Sequence, residues 1–88
     1  MKIEFYTQFE KQLDKVADGP LKAKVAHVVS QVIQADSLSE IKNLKKLKGF
    51  KTAYRIKVGD FRIGLVFEDN TVFFAAIANR KDIYKRFP

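Results

Sequence analysis

The sequence predicts an α+β fold, a helical hairpin packed on one face of a mostly antiparallel four-stranded sheet. The expected order is β-α-α-β-β-β with a short C-terminal tail helix. Three observations carry this. Apolar residues recur at helical spacing up to about position 35, and from Phe50 onward the period switches to two. Two tight-turn signals, Gly59-Asp60 and Asp69-Asn70, divide the alternating half into three strands. The 88 residues make one domain, 1–88, because two independent cores do not fit.

Ile3 and Phe5 alternate with Lys2 and Glu4, as a short first strand would. Thr7 and Glu10 have capping-box spacing. Phe9, Leu13 and Val16 follow at helical intervals, giving a first helix over about 8–17. Asp18-Gly19-Pro20 ends it, with Gly19 suited to a helix C-cap and Pro20 to the first turn of the next helix. Leu21, Val25, Val28, Val29 and Val32 make the apolar stripe of a second helix, about 20–35. The short link between the two predicts an antiparallel hairpin.

Residues 36–49 read as a connection. Ser37 and Glu40 offer a cap for one helical turn. Leu38, Ile41, Leu44 and Leu47 recur at every third position and pin the segment to the body. Lys42, Lys45, Lys46, Lys48 and Lys51 fall within ten positions that hold no acid. Phe50, Thr52, Tyr54, Ile56 and Val58 then alternate with polar or small residues up to Gly59-Asp60, where Gly at the first loop position suits a type II′ turn. Phe61, Ile63, Leu65 and Phe67 form the core side of the next strand. Thr71 to Ala78 is apolar on both faces and is expected to be the central strand. Lys81 to Phe87 makes an amphipathic tail.

The hairpin register follows from the turn. Val58 faces Phe61, Lys57 faces Arg62, Ile56 faces Ile63 and Arg55 faces Gly64. Lys51, Arg55, Lys57 and Arg62 therefore share one sheet face, and Phe50, Tyr54, Ile56, Val58, Phe61, Ile63, Leu65 and Phe67 share the core face. A one-residue slip would bury the cations, so the register is strongly specified. Like charges opposite each other destabilise a sheet, so Lys57 across from Arg62 points to an anion site. Val66, Phe73, Ala75 and Ile77 are expected to continue the basic face as an apolar patch. Such a patch needs a cover, supplied in part by Ile83, Tyr84 and Phe87 and in part by a protein partner.

Charge supports this. The net charge is +7, and it is lopsided: residues 1–40 hold five Lys and six acids, and residues 41–88 hold twelve Lys and Arg and four acids. A one-sided basic chain fits a polyanion, either nucleic acid or an acidic protein segment. Cys is absent and His27 is the lone His, which argues against thiol chemistry and against a Cys- or His-based metal site; no cofactor is expected. His27 falls mid-helix, away from the basic face. The N-terminus lacks the apolar run of a signal peptide, and the longest apolar run, Val72 to Ala78, is too short to span a bilayer. The default compartment is the cytosol.

Tyr54-Arg55-Ile56-Lys57-Val58-Gly59-Asp60-Phe61-Arg62-Ile63, followed by Asn79-Arg80-Lys81-Asp82-Ile83-Tyr84, resembles the RelE/ParE toxin superfamily of type II toxin–antitoxin systems. Leu44-Lys45-Lys46-Leu47-Lys48-Gly49 also fits, and the resemblance covers essentially the whole chain. It implies a fold of the microbial-ribonuclease type. For the RelE branch it implies an mRNA interferase that cleaves mRNA in the ribosomal A site, where the RNA 2′-hydroxyl attacks the adjacent phosphate. Carried over by position, the implied catalytic residues are Arg55, Lys57, Arg62, Arg80 and Tyr84. Many relatives have His where this chain has Asn79. The implied partners are the ribosome, mRNA and a cognate antitoxin in a hetero-oligomeric complex.

The residues fit that chemistry. A guanidinium is a planar fork that stays charged, which suits Arg62 and Arg80 to an anionic phosphorane. A general base must be free of its proton near neutral pH. Arg is not, and the candidates are Lys57, crowded by other cations, and Tyr84 in the same field. Tyr84 is either a second proton carrier or a ring that stacks on a substrate base. Lys42, Lys45, Lys46, Lys48 and Lys51 are candidate RNA- or ribosome-binding residues. Val66, Phe73 and Ile77 are candidate antitoxin contacts. Two alternatives remain open at this point: a non-catalytic gyrase inhibitor of the ParE branch, and an inactive RNA-binding relative.

Overall fold

The computed structural model describes residues 1–88. Its elements are β1 (Lys2–Phe5), α1 (Thr7–Asp14), α2 (Gly19–Gln34), one turn of 3-10 helix (Leu38–Glu40), β2 (Leu44–Lys46), β3 (Ala53–Val58), β4 (Phe61–Glu68), β5 (Thr71–Asn79) and α3 (Ile83–Arg86). The strands form one sheet in the order β1-β5-β4-β3-β2. The β1–β5 pair is parallel and every other pair is antiparallel. β5 is interior, flanked by β1 and β4, as its two-sided apolar sequence requires.

The sheet has five strands where the sequence predicts four. The additional strand is β2, paired Leu44↔Ile56, Lys45↔Arg55 and Lys46↔Tyr54. Leu38, Ile41, Leu44 and Leu47 recur every third residue along the connection, a spacing that hides a three-residue strand. Asn43, at φ 62°, turns the chain into β2. Lysines on so short an edge discourage pairing with another chain.

α1 and α2 lie on one face of the sheet. Phe9, Leu21, Val25 and Val32 are buried there against Ile56, Val58, Ile63, Leu65, Val72, Phe74 and Ile77. Leu38, Ile41 and Leu44 pack on the same core, so the leucines of the connection do pin it. The helix ends differ from expectation. The residue preceding α1 is Tyr6, with no side-chain cap, so the Thr7–Glu10 capping box does not form. Gly19 opens α2 rather than closing α1. Asp18 is the N-cap, its Oδ1 accepting from the Leu21 N–H at 3.0 Å. That bond satisfies one of the four orphan donors at the helix start.

The β3–β4 register is the expected one, with Lys57↔Arg62 and Arg55↔Gly64 opposite each other. Gly59 has φ 57° in the first turn; Asp69 and Asn70 have φ 52° and 55° in the second. β4 and β5 depart from simple alternation. The register shifts between Gly64, opposite Ala76, and Leu65, opposite Phe74, leaving Ala75 as a bulge. A bulge inverts which face the following residues occupy. Ile77 is therefore opposite Ile63 and buried on the helical side, not on the basic face. Ala76 and Ala78 take the positions that alternation assigns to Ala75 and Ile77.

The bulge exposes backbone groups that the ladder does not pair, and α1 supplies partners. Gln12 Oε1 accepts from the Ile77 N–H at 2.8 Å, and Gln8 Nε2 donates to the Ala75 carbonyl at 3.3 Å. Buried backbone donors are costly to strand. Gln12→Ala should thus cost about 1–3 kcal/mol, the penalty for an unsatisfied buried group. Gln8→Ala should cost less, since its bond is longer. Denaturant midpoints at constant m would measure both.

Candidate nucleic-acid site

Arg55, Lys57 and Arg62 lie on the sheet face opposite the helices, fixed there by the pairing of β3 and β4. β2 adds Lys45 directly across from Arg55. Lys51 is not on this face of the strand. The first rung of β3 is Ala53↔Val66, so Phe50 and Lys51 precede the sheet, both exposed. The alternating pattern outruns the strand: pairing with β4 extends only to the Thr52 carbonyl, which accepts from the Phe67 N–H at 2.9 Å, and Phe50 and Lys51 lie beyond it.

The face is divided by the C-terminal tail. α3 lays Ile83, fully buried, over Ala53, Ala75, Ala76 and Ala78, and Phe87 is buried beside it. These two residues cover the apolar half of the face. Tyr84 does not help: it is 60% exposed. Val66 and Phe73 remain half-buried at the far side, where the Phe73 ring lies 5.7 Å from that of Tyr6.

One side of the tail holds a groove of about 420 Å³, lined by Lys45, Lys46, Leu47, Lys48, Phe50, Arg55, Tyr84, Phe87 and Pro88. Arg55 is held at its floor by a hydrogen bond from Nη1 to the Asn43 carbonyl, 3.0 Å. Phe50 is 49% exposed at the lip. Sequence alternation assigns Phe50 to the core; in the structure it is a free aromatic ring among cations. Lys51 lies nearby, sharing a shallower recess with Lys46, Lys48 and Phe50.

The other side of the tail is organised by the Gly59-Asp60 turn. Arg62 Nη1 donates to the carbonyls of Gly59 and Phe61, both at 2.9 Å. Its Nε and Nη2 make no hydrogen bond within the protein. The Arg80 backbone N–H donates to the Asp60 carbonyl at 2.8 Å, which fixes the residue after β5 at the same turn. Lys57 pairs with Arg62 across the ladder and is exposed. The turn thus gathers Lys57, Arg62 and Arg80, while the groove gathers Arg55, Tyr84, Lys45, Lys46 and Lys48. Arg80 forms no ion pair; Asp82 pairs instead with Lys85, at 3.8 Å.

Asn79 sits opposite Phe61, on the helical side, and its Oδ1 accepts from the Lys81 N–H at 2.9 Å. It shapes the turn after β5 and faces away from the cations. His27 is exposed on α2, as expected. It lines a cleft with Lys24, Lys42 and Lys57, so Lys42 lies apart from the other lysines of its run. No cluster of acidic, His or Cys side chains could hold a metal ion. No helix is long and apolar enough to cross a membrane.

This geometry belongs to a known set of proteins. The chain is 35% identical, over its full length and the full length of the relative, to a protein of Methanocaldococcus jannaschii named toxin RelE3. The chain belongs to the RelE toxin family. Among solved structures, the RelB–RelE antitoxin–toxin complex from Methanococcus jannaschii contains a chain that superposes with a TM-score of 0.80 at 32% identity, covering 97% of this chain and 99% of that one. The intact E. coli RelBE toxin–antitoxin complex superposes with a TM-score of 0.69 at 18% identity, over 89% and 94% of the two chains, a likeness of fold alone. No family model matches the sequence. In this RelE-family chain the five-stranded sheet and the three helices have the same arrangement as in those toxins.

Proposed function

We propose that this chain is the toxin of a type II toxin–antitoxin pair and acts as a ribosome-dependent mRNA endonuclease. The observation that carries the reading is the cationic, aromatic groove beside the C-terminal tail. The groove presents two exposed aromatic rings, Phe50 and Tyr84, among Lys45, Lys46, Lys48 and Arg55. Aromatic faces set in a cationic channel suit single-stranded RNA, whose bases stack while its phosphates pair with Lys and Arg. Across the tail from the groove, the Arg62 guanidinium is held at the Gly59-Asp60 turn with Nε and Nη2 free of protein partners, and the Arg80 backbone is bonded to the same turn.

In this reading the RNA 2′-hydroxyl attacks the adjacent phosphorus and the P–O5′ bond breaks. The products are a 2′,3′-cyclic phosphate and a free 5′-hydroxyl. Arg62 and Arg80 stabilise the negative charge that builds on the non-bridging oxygens. Arg55 grips the flanking phosphate. Lys57 takes the proton from the 2′-hydroxyl, a water gives a proton to the departing 5′-oxygen, and Tyr84 stacks on a base beside the scissile bond. Asn79 faces the helices and takes no part. Lys42 and Lys51, outside the groove, contact ribosomal RNA; phosphate contacts by Lys position a partner without reading its sequence.

An acidic, amphipathic antitoxin segment is the complementary partner. Its carboxylates would neutralise Arg55, Arg62 and Arg80. Its apolar side has two places to rest: Val66 and Phe73, both half-buried, and the open groove of about 460 Å³ bordered by Phe5, Phe9, Leu13, Val25 and Val29 on the helical side.

The test is induction in cells followed by primer extension on abundant mRNAs. The expected result is growth arrest with breaks confined to translated regions, each carrying a 5′-hydroxyl. Growth arrest with intact mRNA would overturn the nuclease reading. Binding of a single-stranded oligonucleotide carrying 2′-deoxyribose should also weaken with salt. About five phosphate contacts give a log–log slope near −3.5, roughly a hundredfold loss between about 50 and 200 mM.

A further inference from the structure

Gly64 is the one position on the basic face where a side chain is impossible without rearrangement. A Cβ built there would lie 2.5, 2.6 and 2.8 Å from three ring carbons of Phe87. The backbone of Gly64 is ordinary extended strand, so its lack of a side chain serves the close approach of the ring. The neighbouring floor is equally small: Ala53, Ala75, Ala76 and Ala78, all buried. The bulge at Ala75 brings Ala76 opposite Gly64 and sends the larger Ile77 to the other face. Phe87 fills the resulting notch and is 4% exposed, one residue from the last. α3 comprises only Ile83–Arg86 and cannot hold its own shape in isolation.

Its two buried anchors, Ile83 and Phe87, bracket Tyr84, which is 60% exposed over the groove. The Phe87 N–H donates to the Ile83 carbonyl at 2.8 Å, closing the turn that carries Tyr84. We infer that Phe87 seated in the Gly64 notch is a positioning residue, a latch that holds Tyr84 against Arg55 and the groove lysines in the geometry needed to receive an RNA base. The inference rests on the nuclease reading for its consequence in catalysis, and on packing alone for the latch itself.

The physical argument is one of leverage. Tyr84 touches solvent on most of its surface, so its own packing does not fix it. Its position is inherited from residues 83 and 87, which are fixed. Releasing Phe87 leaves Ile83 as the lone anchor and allows the ring of Tyr84 to wander. Misplacement of a substrate-positioning group by about 1 Å can cost on the order of a hundredfold in rate.

The experiment compares Phe87→Ala, Phe87→Leu, Gly64→Ala, Tyr84→Ala and the double variant Phe87→Ala/Tyr84→Ala with the unmodified chain. Ribosome-dependent cleavage gives kcat and KM, and a 2′-deoxy single-stranded oligonucleotide gives binding without turnover. Phe87→Ala should lower kcat roughly ten- to a hundredfold with KM little changed. Phe87→Leu should recover part of the loss. Gly64→Ala should mimic Phe87→Ala, because the new methyl expels the ring. The double variant should be no worse than Tyr84→Ala alone, since Phe87 acts through Tyr84 and such effects do not add.

Hydrogen exchange gives a readout independent of activity. The Lys85 and Phe87 amides, bonded to the Asp82 and Ile83 carbonyls at 3.0 and 2.8 Å, should exchange faster in Phe87→Ala and Gly64→Ala. Losses that multiply in the double variant, or tail amides as protected as before, would overturn the latch. An unmodified chain that never cuts mRNA would overturn the nuclease reading instead. The latch would then be decided by tail exchange and by whether Phe87→Ala and Tyr84→Ala weaken oligonucleotide binding equally and without adding.

Discussion

Arg62→Ala and Arg80→Ala should each lower ribosome-dependent cleavage on the order of a hundredfold or more while leaving ribosome binding nearly unchanged. The asymmetry follows from what each arginine is asked to do. A phosphate already carries charge in the ground state, and any lysine of the groove can attract it. The additional charge of the pentavalent state appears at the scissile phosphate, beside the Gly59-Asp60 turn in this reading. Arg62 reaches that place with one nitrogen, Nη1, tied to the Gly59 and Phe61 carbonyls. The tie orients the guanidinium before substrate arrives, so little reorganisation is needed as charge develops. Arg62→Lys keeps the charge but loses the planar fork, and should restore only part of the rate.

Unfolding does not supply the effect. A hydrogen bond to a charged group contributes about 1.5–3 kcal/mol, and Arg62 is only half-buried at a turn. The Arg62→Ala chain should remain folded, with a thermal midpoint lowered by several degrees. Arg80 makes its contact to Asp60 through its backbone N–H, which Ala retains. Arg80→Ala is therefore the cleaner test, with the midpoint unchanged. Equal losses in ribosome binding and cleavage would make both arginines gripping residues rather than groups that act on the transition state.

Much of this site is legible in the sequence because a two-residue turn leaves no freedom. Gly59-Asp60 fixes Lys57 against Arg62, and strict alternation fixes which face they occupy. The tail is legible for a similar reason: Ile83 and Phe87 are four apart, on one side of a single turn. Three features are not legible, each for a physical reason. β2 is three residues long and its edge pairing is set by Asn43 and by space beside β3, so local pattern does not reveal it. Phe50 continues the alternation of β3 but has no partner strand, and alternation alone says nothing about pairing. The bulge at Ala75 falls in a run apolar on both sides, so slipping by one residue leaves the pattern intact. A trace of it does exist in α1. Gln8 and Gln12 are four apart beside the apolar Phe9 and Leu13, and polar residues so placed next to a core imply backbone groups waiting to be paired.

Phe74→Ala should destabilise the fold by about 3–5 kcal/mol, a large share of what an 88-residue domain has. Phe74 is fully buried, and its ring lies 5.0 Å from Phe5 and 5.4 Å from Phe9. These contacts join β1, α1 and β5, and Phe5 and Phe9 also meet each other at 6.0 Å, with Tyr6 against Phe73 nearby. The backbone of Phe74 lies at the same junction, pairing with Phe5 across the parallel ladder and accepting from the Tyr6 N–H at 2.9 Å. A cavity here removes packing from an edge strand of only four residues. Fast hydrogen exchange should therefore spread through β1 and α1 before it reaches the β3–β4 hairpin. Ile33→Ala gives the contrast, because Ile33 is 53% exposed on α2 and its loss should cost within about 0.5 kcal/mol. If denaturant melts placed the two variants at the same stability, the junction would not be the keystone of the helical face. If Phe74→Ala lost the hairpin and β1 together, the domain would open as one unit, and the cationic turn would depend on the aromatic junction for its integrity.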